Sequence, residues 1–258
     1  ISETEILLHD IRTQENIGDV LLSLDRKVKT NNTIIEKLNS LLLEYFDYWF
    51  MQFDYPNLIG EPYKASGGKL EYSNSLKRRI PAGWQVVKIG DILRGSSGSK
   101  SKIESGDILS SGMYPVITQD TGGLVTGYTN ESNPNDESPV IVFGDHSCTI
   151  RYVNFPFFQG ADGTQIMRMD EHLVDYLYLY LLKVIPKIPG YGKYERHYKY
   201  VKDLKLALPE DKLLHSFISI TSPILKLINK KHLENNYLEG IRNWLLPLLM
   251  SGNVVIDE

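Results

Sequence analysis

The sequence has a single cysteine, Cys148. One thiol excludes an intrachain disulfide and any cysteine-built zinc site, and it fits a reducing compartment. Long apolar runs are missing as well: none approaches the roughly 18 residues of a membrane span. The opening ISETEILLHD has no basic stretch followed by an apolar one, as a secretion signal requires. A cytoplasmic protein away from the membrane is therefore expected. The catalytic signatures also fail, with no Gly-x-Ser-x-Gly elbow, no Gly-Lys-Ser/Thr phosphate loop, no Gly-x-Gly-x-x-Gly and no His-Glu-x-x-His. No catalytic residue, metal site or cofactor is expected.

What the chain does have is regularity at both ends. Ile17, Leu21, Leu24, Val28, Asn31, Ile35, Leu38, Leu42, Tyr45 and Trp49 alternate steps of four and three, an unbroken heptad seam that keeps one stripe facing a partner helix. Asn31 is the polar member, the kind of residue that fixes register and partner number at some cost in stability. Near the other end Ile224, Ile228, Leu238, Leu245 and Leu249 fall at the same steps or their sums, with Lys231, Asn235 and Arg242 filling the remaining places. Ser222-Pro223 reads as an N-cap and first-turn proline, starting a helix that runs to about Met250 and ends at Ser251-Gly252. At about 1.5 Å per residue the two rods are roughly 50 and 40 Å long. Whether they pair within one chain or between two, the seam leaves open.

Between the rods the period disappears. Residues 53–79 carry Pro56, Gly60, Pro62, Gly67 and Gly68 and read as a linker lying on the rest of the protein. From Ile80-Pro81 onward, short runs rich in Val, Ile, Tyr and Phe (85–89, 114–118, 124–128, 139–143, 149–153 and 163–169) predict strands of an antiparallel or mixed sheet. A helix is predicted over 170–184 and a last strand over 204–208. The expected fold is α+β, one mixed α/β domain flanked by two long helices that form an antiparallel coiled coil.

The chain's net charge of −4 is no nucleic-acid signature, but its distribution is uneven. Residues 183–205 hold seven basic residues against Glu195 and Asp203. There PGYGKYERHYKYVKDLK interleaves Lys193, Arg196, Lys199 and Lys202 with Tyr191, Tyr194, Tyr198, Tyr200 and His197. Lysines can neutralise phosphates, arginine can fork onto a guanine edge or a phosphate, and tyrosines can donate to phosphate. Lys100 and Lys102 sit in a Gly/Ser-rich stretch that reads either as a solvated loop or as further phosphate contacts. Gln119, Asp120, Asn130, His146 and Gln165 lie near strand ends where base-reading groups could sit. Asp145-His146-Ser147-Cys148 places acid, base and thiol together. Adjacency argues against catalysis, because a nucleophile and its base normally come from different segments, and Cys148 reads as a small packed hydrophobe.

In that order, IPAGWQVVKIGDIL, VIVFGDHSCTI, FPFFQGADGTQIM, GYGKYERHYKYVKDLKLALP and the terminal PILKLINKKHLENNYLEGIRNWLLPLLMSGNV resemble the specificity subunit (HsdS) of type I restriction-modification systems. The first helix resembles the family's other spacer helix. The resemblance implies spacer helices at 1–52 and 210–258, a linker at 53–79 and a target recognition domain at 80–209 that reads one half of a bipartite site on double-stranded DNA. It implies methyltransferase (M) subunits, and through them a restriction (R) subunit, as partners that carry the catalysis. The usual subunit has two recognition domains; this chain has one, so a homodimer is expected to restore two readers. Expected DNA-binding residues are Lys193, Tyr194, Arg196, His197, Tyr198, Lys199, Lys202, Lys100, Lys102, Gln119, His146 and Gln165. Expected seam residues are Leu24, Val28, Asn31, Ile35, Leu38, Leu42, Ile228, Asn235, Leu238 and Leu245. The alternative is a coiled-coil scaffold whose globule binds protein.

Overall fold

A long helix, α1 (Ile11–Phe46), opens the computed structural model, which describes residues 9–95, 102–161, 163–188, 191, 193 and 195–254. The Asp10 carboxylate starts it by accepting from the Thr13 N–H at 3.0 Å and the Thr13 hydroxyl at 2.7 Å, an N-cap arrangement. These bonds hold the Asp10 carboxyl below its ordinary value. The chain divides into two units, one of Ile1–Lys37 with Lys230–Glu258 and the other Leu38–Asn229. Among the described residues no helix is long and apolar enough to cross a membrane.

In the first unit, α1 runs beside the last helix. Asp25 meets Arg242 at 2.9 Å, Lys27 meets Glu234 at 3.5 Å and Asn31 meets Asn235 at 2.9 Å. From His9 at Met250 through Asp25 at Arg242 to Asn31 at Asn235 the partner number falls as the first rises, so the pair is antiparallel and lies within one chain. Ile17, Ile35 and Asn31 are buried on α1, and Asn235 and Leu249 on the last helix. The seam asparagines bond each other, and the Asn235 amide also donates to Asn32 Oδ1 at 2.7 Å.

In the second unit α1 widens into a π turn over Asp47–Met51, where the Gln52 N–H reaches the Asp47 carbonyl at 2.8 Å. Hairpin β1 (Leu70–Ser73) and β2 (Arg78–Pro81) follows, then β3 (Gln85–Lys88) and the single turn α2 (Ile89–Ile92). Next come β4 (Lys102–Ile103), β5 (Tyr114–Ile117), β6 (Gly127–Thr129), β7 (Val140–Gly144), β8 (Ile150–Val153), β9 (Phe158–Gly160) and β10 (Thr164–Met167). Helix α3 (Glu171–Val184), the short α4 (Tyr198–Asp203), β11 (Lys205–Leu208) and α5 (Asp211–Met250) complete the chain. One sheet has the order β10-β7-β8 and is antiparallel; a second, β4-β9-β5-β6, is mixed; β3 pairs antiparallel with β11. The fold is α+β with a long helix at each end.

Every residue of β7 is buried, and the core around it joins Ile117, Val140, Val142, Val153, Phe157 and Ile166. A second apolar centre is aromatic. Phe50 stands 4.7 Å from Phe217 and 4.8 Å from Tyr176, edge-on in both cases, and Tyr45 stacks on Phe217 at 5.4 Å. Phe46, Trp49 and Phe50, at i, i+3 and i+4, all face this one cluster.

Two features differ from expectation. The last helix begins at Asp211, not at Ser222, and Pro223 lies inside it. An interior proline costs about 3 kcal/mol. Leu214, Phe217, Leu225 and Ile228 keep the three-and-four spacing across it and are all buried, worth roughly 1.5–3 kcal/mol each, so burial outweighs the break. Ser222 caps nothing there; its hydroxyl donates to Asp175 Oδ2 at 2.9 Å. The stretch 53–79 read as linker contains β1 and the start of β2, joined by a turn in which Lys77 takes φ 51° and the Leu76 N–H meets Ser73 Oγ at 3.3 Å.

Candidate nucleic-acid interface

The turn after β7 is the hub of the polar surface. Asp145 is buried, and its N–H donates to the Gly163 carbonyl at 2.6 Å. Its own carbonyl accepts from the His197 N–H at 2.9 Å, and its carboxylate accepts from the Tyr198 N–H at 2.8 Å. The next residue, His146, has Nδ1 at 3.2 Å from the Glu195 carbonyl. One strand end therefore fixes the basic segment 195–198 by backbone bonds, leaving the Arg196 side chain exposed.

Opposite lies the turn after β5. Gln119 Oε1 accepts from the His146 N–H at 3.1 Å. The buried Arg151 guanidinium donates to the Thr118 carbonyl at 2.7 Å, to Thr149 Oγ1 at 3.1 Å and to the carbonyls of Asp120 and Gly123. Burial lowers its pKa, with the Asp120 charge opposing. Arg151 thus acts as a clamp that shapes residues 118–123. Gly163 takes φ +67°, a backbone conformation that favours glycine, and a Cβ there would stand 2.5 Å from Gln119 Nε2 and displace that side chain.

These contacts build a cleft of about 330 Å³ lined by Lys102, Glu104, His146, Gln165 and Arg196, with Asp145 and Gly163 at its base. Lys102, His146, Gln165 and Arg196 are four of the residues singled out from sequence, and they arrive from β4, the β7-β8 turn, β10 and the basic segment. Gln119 stands behind His146. Tyr198 and Lys202 line a different cleft with Arg94 and Arg168, and the Lys202 ammonium lies 5.2 Å from the Tyr198 ring centre. Burial pushes the Tyr198 phenol up to about 12, so it stays a hydrogen-bond donor at neutral pH. Lys193 and Lys199 are exposed and line neither cleft; His197 is fully buried. Lys100 and Tyr194 lie outside the described residues. Asp120 and Asn130 are engaged locally, Asp120 by the Thr118 hydroxyl at 2.7 Å and Asn130 by the Met113 N–H at 3.0 Å.

Cys148 is buried at φ 56°. Burial and the Asp145 charge push its thiol pKa up, the opposite of what a nucleophile needs. Sequence reasoning missed Glu104, Arg94, Arg168 and the clamp Arg151. A lone arginine in the apolar strand IRYV was the available signal for the last of these.

Comparison with known proteins bears on this surface. A family model described as "Type I restriction modification DNA specificity domain" matches residues 81–235, more than half of the chain. The chain belongs to this family. The family is one of DNA-specificity domains. A curated relative, the type I restriction enzyme MjaIX specificity subunit of Methanocaldococcus jannaschii, is 25% identical over 100% of this chain and 62% of its own length. The crystal structure of the type I restriction-modification system S subunit from M. genitalium shares the fold, with a TM-score of 0.59 at 20% identity, over 96% of this chain and 62% of that one. The chain thus spans under two thirds of the length of either specificity subunit.

Proposed function

We propose that this chain reads one half of a bipartite DNA target in the cytoplasm, as a specificity component of a type I restriction-modification complex. Residues 80–209 would serve as the recognition domain, and the helices at 1–52 and 210–258 as spacer and platform for methyltransferase subunits, through which a restriction subunit is recruited. The observation that carries this reading is the cleft in which Lys102, His146, Gln165 and Arg196 converge from four separate segments. It offers donors (Lys102, Arg196), an acceptor (Glu104) and amphoteric groups (Gln165, His146), the mixture needed to match base edges.

Two further proposals follow from the helices. Tyr237 and Trp244, 69% and 65% exposed, lie seven residues apart on α5 and off the seam, and large exposed aromatics on one helical face suit a protein partner. They support methyltransferase docking. A homodimer would supply the second reader for the other half-site. The recognition claim is tested by titrating salt against duplex binding for the chain and for Lys102→Gln and Arg196→Gln. Binding is expected to fall steeply with salt, and each variant is expected to lose about 1–3 kcal/mol of discrimination between sequences. Salt-independent binding to protein alone would move the account to the scaffold reading.

A further inference from the structure

The second cleft, of about 340 Å³, is lined by Gly90, Leu93, Arg94, Gly95, Ile166, Arg168, Tyr198 and Lys202. Unlike the first, its lining among the described residues includes no carboxylate, and the charged and polar side chains there are three cations and a phenol. Its acids stand behind the cations: Asp170 pairs with Arg94, and Glu137 Oε2 accepts from Arg168 Nε at 2.8 Å. Asn135 Oδ1 accepts from Arg168 Nη2 at 2.9 Å, and Arg168 Nη1 is buried with no hydrogen-bond partner among the described residues. The guanidinium is therefore fixed in direction and one donor short of satisfied. The Lys202 ammonium is held beside the Tyr198 ring.

The two clefts share two pieces of backbone. On β10, Gln165 lines the first cleft while Ile166 lines the second, as the period-two alternation of a strand requires; Arg168, two residues beyond Ile166, joins it on the second. On the basic segment, Arg196 lines the first and Tyr198 the second, with buried His197 and the Asp145 bonds between them. A duplex seated on one cleft would thus be registered against the other through a strand and a segment locked together.

We propose that this second cleft is a seat for a DNA backbone phosphate, with Arg94, Arg168 and Lys202 as its charges, and that it sets the register in which the first cleft meets base edges. The proposal rests on the DNA-reading function and divides its labour: backbone positioning in one cleft, base choice in the other.

The test uses the full chain, a randomised duplex pool and the sequence that the wild-type chain enriches from it. Arg94→Gln and Lys202→Gln are each expected to weaken binding to pool and enriched duplex by the same factor, and to lower the slope of log K against log salt by about 0.9 for the lost phosphate contact. Lys202→Arg is expected to keep the wild-type slope, and unchanged melting curves show that each variant is folded. Glu104→Gln is expected to alter the enriched sequence and leave the slope alone. A wild-type slope in both Gln variants, or a loss confined to the enriched duplex, would overturn the phosphate seat while leaving DNA recognition standing. A wild-type chain that binds no duplex at any salt would remove both.

Discussion

Asp145→Ala isolates one bond in the anchoring of the basic segment. It removes the carboxylate that accepts from the Tyr198 N–H at 2.8 Å but keeps the Asp145 carbonyl that accepts from the His197 N–H at 2.9 Å. A bond to a buried charged group is worth about 1.5–3 kcal/mol net. At about 1.4 kcal/mol per tenfold, opening around residue 198 should become about 10–100 times more frequent. Native-state hydrogen exchange reads this directly. The Tyr198 amide should exchange faster by that factor, the His197 amide by less, and the Val142 amide, held in the core of the β10-β7-β8 sheet, not at all. Asp145→Asn keeps an acceptor without its charge and should fall between. Duplex affinity should drop alongside, because Arg196 would then be ordered at the expense of binding. An unchanged Tyr198 amide, or equal acceleration at Val142, would refute the anchoring argument.

Other expectations concern the helices and the core. Asn235→Ala removes both the Asn31 and the Asn32 partners and strands a fully buried amide, so denaturant unfolding should show a loss of about 2–3 kcal/mol. Asn31→Leu combined with Asn235→Leu should recover that loss and broaden the mass distribution in sedimentation, since the polar pair restricts register and partner number; a unique mass with wild-type register would contradict this role. Burial raises the Asp175 carboxyl above its ordinary value of 3.8, and the hydroxyls of Thr221 and Ser222 offset this only in part. A raised carboxyl means that the folded chain binds the proton more tightly than the unfolded one, so this group lowers stability as pH rises from 3.8 through the folded value. Asp175→Asn should therefore raise the melting temperature at neutral pH, and the gain should shrink as pH falls toward 3.8; a gain independent of pH would sink the assignment.

The seam was legible because Ile17 to Trp49 repeat a heptad that only a long partner satisfies, and the β7 and β8 segments because their apolar runs are bounded by turn residues. The start of α5 was not. Ser222-Pro223 has the local chemistry of an N-terminus, and only the tertiary burial of Leu214 and Phe217 carries the helix back to Asp211. The β1-β2 hairpin was obscured by the glycines and prolines before it. The parallel pairing of β9 with β4 and β5 joins residues about forty to sixty positions apart and leaves no periodic trace. For the site, residue type picked out Lys102, His146, Gln165 and Arg196, and the fold alone shows that these four share a cleft while Tyr198 and Lys202 belong to another. His197 reads from sequence as a DNA-binding residue of the basic run; backbone bonds to Asp145 hold it in the interior.

The central claim is that this chain selects DNA by sequence, and selection from a randomised duplex pool by the full chain tests it most directly. The account predicts enrichment of one short motif, appearing as an inverted repeat at fixed spacing if two copies act together, with binding that weakens steeply as salt rises. A bound pool with the same sequence composition as the input would contradict it.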